Sequence, residues 1–529
     1  MKSPMNAKKV SKKVMQVLTR CSKSVRQGTK LFSDWALEKG IRKTTSTYFL
    51  SRWLFLRLLG LIYFIAFVSL GVQILGLLGS NGILPVEKFL EVLKEQAGWK
   101  RFWIAPSLLW IYPGDMALQL LCWAGAILSV VLMIGFAQGP VLALLWFLYL
   151  SLISSGQDFL SFQWDVLLLE AGFLAIWIAP SGFWPRSAWK TPVPDGIRRL
   201  FYWLIFRVIF SAGYVKLISQ DPFWANLTAV KYHYQSQPLP TLFAWYLYQL
   251  PLGFHKMTVV AIYLFELAVP FLIFTPRRLR RIGALLLMLY QVLIALTGNF
   301  GFFNCLIICL CVLLFDDAVW PRALVKQIVK RRSRAEAKSV WSVWVLKPLV
   351  GTLVFLSAVS FLQTGKKESI LFQPLKGIYN FFKPFRSVNT YGIFSIIIER
   401  RHELILEGSN NGEVWRAYTF RYKPDDLKTP PKWISPYHPR LDWQMWIAAQ
   451  GNLQQNPWLI NFCVRLLEDS KDVLRLIEGS PFDEWPPRYI RPVLYEYEFT
   501  DEDTKEKTGM WWERRRLGLY SPVISLPDK

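Results

Sequence analysis

The chain has 529 residues, 53% of them hydrophobic and 19% charged, with a formal net charge of +25 and a mean hydropathy of +0.26. That apolar content, gathered in long runs, excludes an ordinary soluble protein and makes the lipid bilayer the first expected partner. The positive charge lies beside the apolar segments, as membrane topology demands, so no nucleic-acid partner is expected.

Residues 1–50 hold twelve Lys or Arg against only Asp34 and Glu38. No apolar core with a cleavage site follows in the pattern of a secretory signal peptide, so a solvated cytoplasmic tail touching anionic lipid is expected. Nine apolar segments come next, near 54–79, 116–136, 139–155, 164–180, 200–218, 257–275, 282–297, 302–316 and 345–363. Several approach the lower length limit for a spanning helix. Three connecting loops are strongly basic: one has Arg186, Lys190, Arg198 and Arg199, the next Arg277, Arg278, Arg280 and Arg281, and the last runs from Arg322 to Lys338. The alternate loops hold only Lys88, Lys94, Lys100, Arg101, Lys231 and Lys256. This asymmetry predicts an N-terminus in the cytoplasm and nine crossings. Residues 51–363 are then a multi-pass membrane domain and residues 364–529 a soluble domain outside. That means the periplasm in a bacterium and the lumen of the secretory pathway in a eukaryote.

Polar groups at membrane depth are costly and mark function or helix packing. The fourth segment carries Gln163, Asp165 and Glu170, the first and last sharing one helical face. Arg57 suits snorkelling to the interface, whereas Arg207 and Glu266, central in consecutive segments, are expected to form a buried ion pair. The long loop 219–256 holds Trp224, Tyr232, His233, Tyr234 and Trp245. Its aromatics suit a membrane belt or a binding rim. Asn226-Leu-Thr228 in it is an N-glycosylation sequon. Topology places these motifs on the outer side, which predicts one outward-open cavity lined by Gln163, Asp165, Glu170, Lys216, His233, Asn299 and Asn304.

The strings Leu160-Ser-Phe-Gln-Trp-Asp-Val-Leu-Leu-Leu-Glu170, Lys216-Leu-Ile-Ser-Gln-Asp-Pro-Phe-Trp224, Thr297-Gly-Asn-Phe-Gly-Phe-Phe-Asn304, Asp316-Asp317, Glu407-Gly-Ser-Asn-Asn-Gly412, Phe420-Arg-Tyr-Lys-Pro424 and Pro439-Arg-Leu-Asp-Trp-Gln-Met-Trp446 resemble the lipase maturation factors. The likeness runs from about residue 50 to the C-terminus. It implies a multi-pass protein of the endoplasmic reticulum in animals, which helps secreted lipases reach their folded state, with a C-terminal domain that binds clients. Secreted proteins such as lipases are the partners so implied. A shorter stretch, Ala212-Gly-Tyr-Val-Lys-Leu217, is similar to one in the membrane domain of vitamin K-dependent gamma-carboxylases. That likeness implies Lys216 as a catalytic base toward a lipid or quinone-like substrate, against a plainer interfacial lysine.

The C-terminal region reads as an α+β domain built on a small antiparallel sheet or sandwich. Strands are expected within 389–424, at 489–499 and at 510–519. Helices are expected at 441–450 and 458–476, and a charged turn at 500–508. The glycine-asparagine turn pattern is similar to discoidin-like sandwiches by fold analogy alone. Arg440, Asp442, Trp443 and Trp446 are candidates for client binding, against burial in a core. Trp511, Trp512 and Arg514–Arg516 pose the same choice.

Six cysteines (Cys21, Cys122, Cys305, Cys309, Cys311 and Cys463) include no Cys-x-x-Cys pair, and the histidines number four. Neither a disulfide framework nor a metal site is expected, and no cofactor. No Gly-x-Ser-x-Gly elbow, Walker A or Rossmann fingerprint is present. The chain therefore reads as a binding and maturation protein, with a Lys216-based membrane enzyme as the rival and a transporter third.

Overall fold

The structure is a computed structural model that describes residues 47–185, 191–321, 341–362, 373–482 and 485–527. The basic tail up to residue 46, Arg186, Lys190 and the cations from Arg322 to Lys338 lie outside the described residues. Residues Tyr48–Lys529 fall in one compact unit.

Seven of the nine expected segments are helices long and apolar enough to cross a bilayer. They are α1 (Phe49–Gly71), α2 (Asp115–Ile134), α3 (Gln138–Ser155), α5 (Asp195–Ile218), α6 (Leu252–Phe274), α7 (Arg277–Thr297) and α9 (Val343–Leu362). The remaining two are shorter. Between α3 and α5 lies α4 (Gln163–Ile178), whose 16 residues reach about 24 Å, less than the ~30 Å hydrocarbon core. Between α7 and α9 lies α8 (Phe303–Leu314). Both sit inside the bundle: α4 packs against α1, α3, α5 and α8.

One end of the bundle is held by the Asp316-Asp317 motif. Asp317 accepts from the backbone N–H groups of Phe49 and Leu50, both at 2.9 Å, and so caps α1. Asp316 takes Arg277 at 3.3 Å and also Arg281, at the start of α7. The first turns of α1 and α7 therefore meet at one end, with Arg280 donating to the Tyr48 hydroxyl at 3.0 Å.

Helix α6 is irregular. It is α-helical over Leu252–Tyr263, widens to a π-turn over Leu264–Ala268 and tightens to 3-10 over Val269–Phe274. Pro270 lacks the N–H that an α-helix would use there, which accounts for the break. Glu266 lies within the π-turn.

The C-terminal domain holds one five-stranded antiparallel sheet in the order β2-β1-β3-β4, with β5 also on β3. The strands are β1 (Arg401–Ser409), β2 (Arg416–Ala417), β3 (Tyr489–Phe499), β4 (Trp512–Leu519) and β5 (Ile524–Ser525). Helices α10 (Arg440–Ala449) and α11 (Trp458–Leu467) lie between β2 and β3 in the chain. The sheet alternative holds, and no second sheet forms a sandwich among the described residues.

Two local expectations are corrected. The apolar run from Phe394 to Arg400 forms no strand. Its backbone groups go elsewhere: the Phe394 carbonyl accepts from the Trp224 indole at 3.0 Å, and Ile397 N–H donates to Asp221 at 3.0 Å. The charged turn 500–508 is instead a helix, Glu502–Thr508, with Asp501 accepting from Thr504 N–H at 2.7 Å and Gly509 left-handed at φ +71°.

Candidate functional site

The polar face of α4 is a joint. Asp165 is fully buried and accepts both guanidinium nitrogens of Arg440, at 2.9 and 2.8 Å. It also accepts from the Tyr149 hydroxyl at 2.5 Å, and Arg440 reaches the Phe159 carbonyl at 2.7 Å. Such a two-pronged pair is strong because each oxygen meets its own donor. Glu170 accepts from Arg207, Asn389 N–H (2.9 Å) and the Tyr391 hydroxyl (2.7 Å). Gln163 clasps Gly392 from both sides, donating to its carbonyl at 2.9 Å and accepting from its N–H at 3.2 Å. Gly392 has φ +148°, and a Cβ there would come within 2.9 Å of Val215, so only glycine fits the clasp. All three polar residues of α4 thus bind segments that follow the membrane helices in the chain.

Asn299 belongs to the same joint. It donates to Lys432 O at 2.8 Å and accepts from Ile434 and Ser435 N–H at 2.7 and 2.9 Å. Gln73 on the α1 side donates to His438 O at 3.0 Å and accepts from Arg440 N–H at 2.9 Å. The His438 ring sits among Phe162, Trp164 and Trp443, with centroids 4.7–5.5 Å away. Burial in that aromatic cage, with Arg440 nearby, holds its pKa well below the usual imidazole value.

The expected client-binding residues are therefore mostly buried. Arg440 and Trp443 lie in the joint, and Trp446 donates to Ser236 O at 2.8 Å. Asp442 accepts from Tyr422 and Lys423 N–H at 3.1 and 2.9 Å inside the domain. Its burial pushes the carboxyl up to about 7. These residues read as exposed candidates in sequence because amphipathic spacing cannot say which protein surface covers a face. Trp512 is likewise buried, against Tyr497 and Phe499, whereas Arg514, Arg515 and Arg516 are exposed on the edge strand β4.

The expected Arg207–Glu266 pair gives way to two others. Arg207 pairs with Glu170, and Glu266 receives Lys216 on both carboxylate oxygens at 2.7 Å. Helical phase explains the exchange: nine residues at about 100° each put Arg207 and Lys216 on opposite sides of α5. Arg207 faces α4 and Lys216 faces α6. Tyr290 of α7 also donates to Glu266 at 2.7 Å. Gly213 shares the Lys216 face, and a Cβ there would lie 2.8 Å from Glu266 Cβ. The Ala212-Gly-Tyr-Val-Lys-Leu217 string thus encodes a close helix crossing and the ion pair one turn beyond it.

This pair borders a cavity of about 550 Å³ among α5, α6, α7, α8 and the Gly392–Phe394 segment. Of the seven residues expected to line one cavity, Gln163, Lys216, His233 and Asn304 do so; Asp165, Glu170 and Asn299 belong to the joint. His233 lies against Phe394, with ring centroids 4.6 Å apart. Burial, then the Lys216 charge, pushes its pKa down to about 4. Sequence reasoning missed Tyr290 and Gln291, although their position on the polar side of the amphipathic α7 signalled them. Among the described residues no group of His, Cys, Asp and Glu could hold a metal ion.

A multi-pass helical bundle joined side chain by side chain to an α+β domain is the class this geometry defines. The family profile of the lipase maturation factor transmembrane domain matches residues 50–322, and that of the lipase maturation factor C-terminal domain matches residues 387–522. Lipase maturation factor 1 of Mus musculus is 36% identical over 92% of this chain and 89% of its own length. Lipase maturation factor 2 of Xenopus tropicalis is 35% identical over 88% of this chain and 81% of its own, and that of Homo sapiens is 33% identical over 90% and 83%. No solved structure matches significantly. The chain belongs to the lipase maturation factor family.

Proposed function

We infer that the chain is a membrane-anchored maturation factor that assists the folding and assembly of secreted lipases. The observation that carries this reading is the match of both family profiles, together with relatives named for that role along about nine-tenths of the chain. The loop charges favour a cytoplasmic N-terminus and an outward C-terminal domain, in the endoplasmic reticulum membrane of a eukaryote or the inner membrane of a bacterium. With Arg440, Asp442 and Trp443 buried, the stronger candidate for client contact is edge strand β4, which exposes Arg514–Arg516. An edge strand with unpaired backbone groups and fixed charge suits transient contact with an incompletely folded chain.

The rival reading, Lys216 as a catalytic base, finds no support: its amine is engaged by both oxygens of Glu266. The test expresses the full chain in cells that lack their own lipase maturation factors. Secreted lipase activity per unit of lipase protein should recover, and should fall when Arg514 and Arg516 are changed to Glu. Normal levels of membrane-inserted chain with no recovery would overturn the maturation reading.

A further inference from the structure

Two buried amide oxygens in the cavity wall have no hydrogen-bond partner among the described residues. They belong to Asn304 and Gln291, which are 4% and 2% exposed. The His233 imidazole lines the same space. A buried amide oxygen left without a donor is costly, so a native fold retains one in a cavity wall where something else completes it. The rest of the wall is apolar, from Ile209 and Ala212 to Ile307. Phe243 on the short helix Leu242–Tyr248, Phe254 on α6 and Leu293 on α7 also line it and are 49%, 37% and 47% exposed. The opening is therefore greasy where α6 and α7 border it.

We propose that this cavity holds a neutral, hydroxyl-bearing lipid that enters sideways from the bilayer. The cavity volume falls within the range of ligand sites, roughly 300–1,000 Å³. Its polar end carries no net charge, because Lys216 is balanced by Glu266. A charged headgroup would lose its hydration there without gaining a counter-ion. A hydroxyl both donates and accepts, so it satisfies Asn304 and Gln291 whichever way their amides turn. Glycerides and sterols share this chemistry. The inference stands apart from client maturation, since none of these residues lies on the outward surface of the C-terminal domain.

The test uses the full chain in phosphatidylcholine nanodiscs, with photoactivatable diacylglycerol, photoactivatable cholesterol and a photoactivatable fatty acid in separate arms. Either neutral probe should label peptides spanning residues 291–304 saturably, and the two arms tell glyceride from sterol. The fatty acid anion should label this region much less. Asn304→Leu combined with Gln291→Leu should cut labelling roughly tenfold, with the melting temperature unchanged or raised. Ala261 of α6 also lines the cavity, and Ala261→Trp, which fills it from that side, carries the same expectation if the double variant fails to fold. Non-saturable labelling equal to that of the lipid-facing side of α2, preference for the fatty acid, or undiminished labelling of both variants would each overturn the proposal.

Discussion

Two polar clusters lie at membrane depth, less than a helix length apart on α5, and they have opposite fates. Around Arg207, every carboxylate oxygen of α4 is matched by a donor from the chain itself, most of them from beyond residue 388. Around Lys216, the ion pair is matched, but Gln291 and Asn304 beside it are not. Polar residues in a bilayer protein thus fall into those that fasten elements and those that face an unfilled space. The distinction lies in what the orphaned atoms face: Nε of Arg207 and Arg440 and both His438 nitrogens also lack partners but are packed into the joint, whereas Gln291 and Asn304 line a cavity.

The comparison can be broken most severely at the joint. Arg440→Leu strands Asp165 in a buried site and should destabilise the protein by about 3–5 kcal/mol. Combining it with Asp165→Leu should restore much of that loss, as denaturation of the detergent-solubilised variants would show. Equal losses in the single and double variants would mean that the pair does not fasten the joint.

Next in size is a pH effect. Asp442 has a folded pKa raised to about 7, so as pH rises from about 4 to 7 the unfolded chain loses this proton first and stability falls. Asp442→Asn keeps the acceptor for Tyr422 and Lys423 N–H and should gain on the order of 2 kcal/mol at pH 8, with no gain at pH 4. Gly213→Ala forces a methyl into Glu266 and should cost about 1–3 kcal/mol, read as a lower melting temperature. His438 supplies the opposite pH limb: its lowered folded pKa gives stability that is full above about 6.5 and lost as pH falls. His438→Phe should flatten that acid limb in a melting-temperature series. The smallest effect belongs to Trp446→Phe, which removes one partly buried hydrogen bond to Ser236 and should cost about 1 kcal/mol.

The membrane segments were legible because apolar runs near twenty residues have few other uses. The strands at 489–499 and 512–519 were legible from alternating β-formers. Pairing was harder. Adjacency in the chain suggested Arg207 with Glu266, while helical phase, equally available, puts Arg207 and Lys216 on opposite sides of α5, so that only one of them can face Glu266. The helix at 502–508 carried its signals openly, Asp501 before it and Gly509 after it, beneath a composition that reads as a turn. The lost strand at 394–400 was beyond reach, since its backbone partners, Trp224 and Asp221, lie some 170 residues earlier.

The same distances set an order of events during synthesis. Helix α4 enters the membrane with Asp165 and Glu170 long before their partners exist, for Asn389 follows Glu170 by 219 residues and Arg440 follows Asp165 by 275. Until the ribosome has nearly finished, the bundle holds carboxylates with incomplete shells, and contacts of such separation form late. A chain truncated before residue 440 can never complete its own membrane part. The C-terminal domain is therefore the last component of the bundle as well as a module of its own, and its deletion removes both at once.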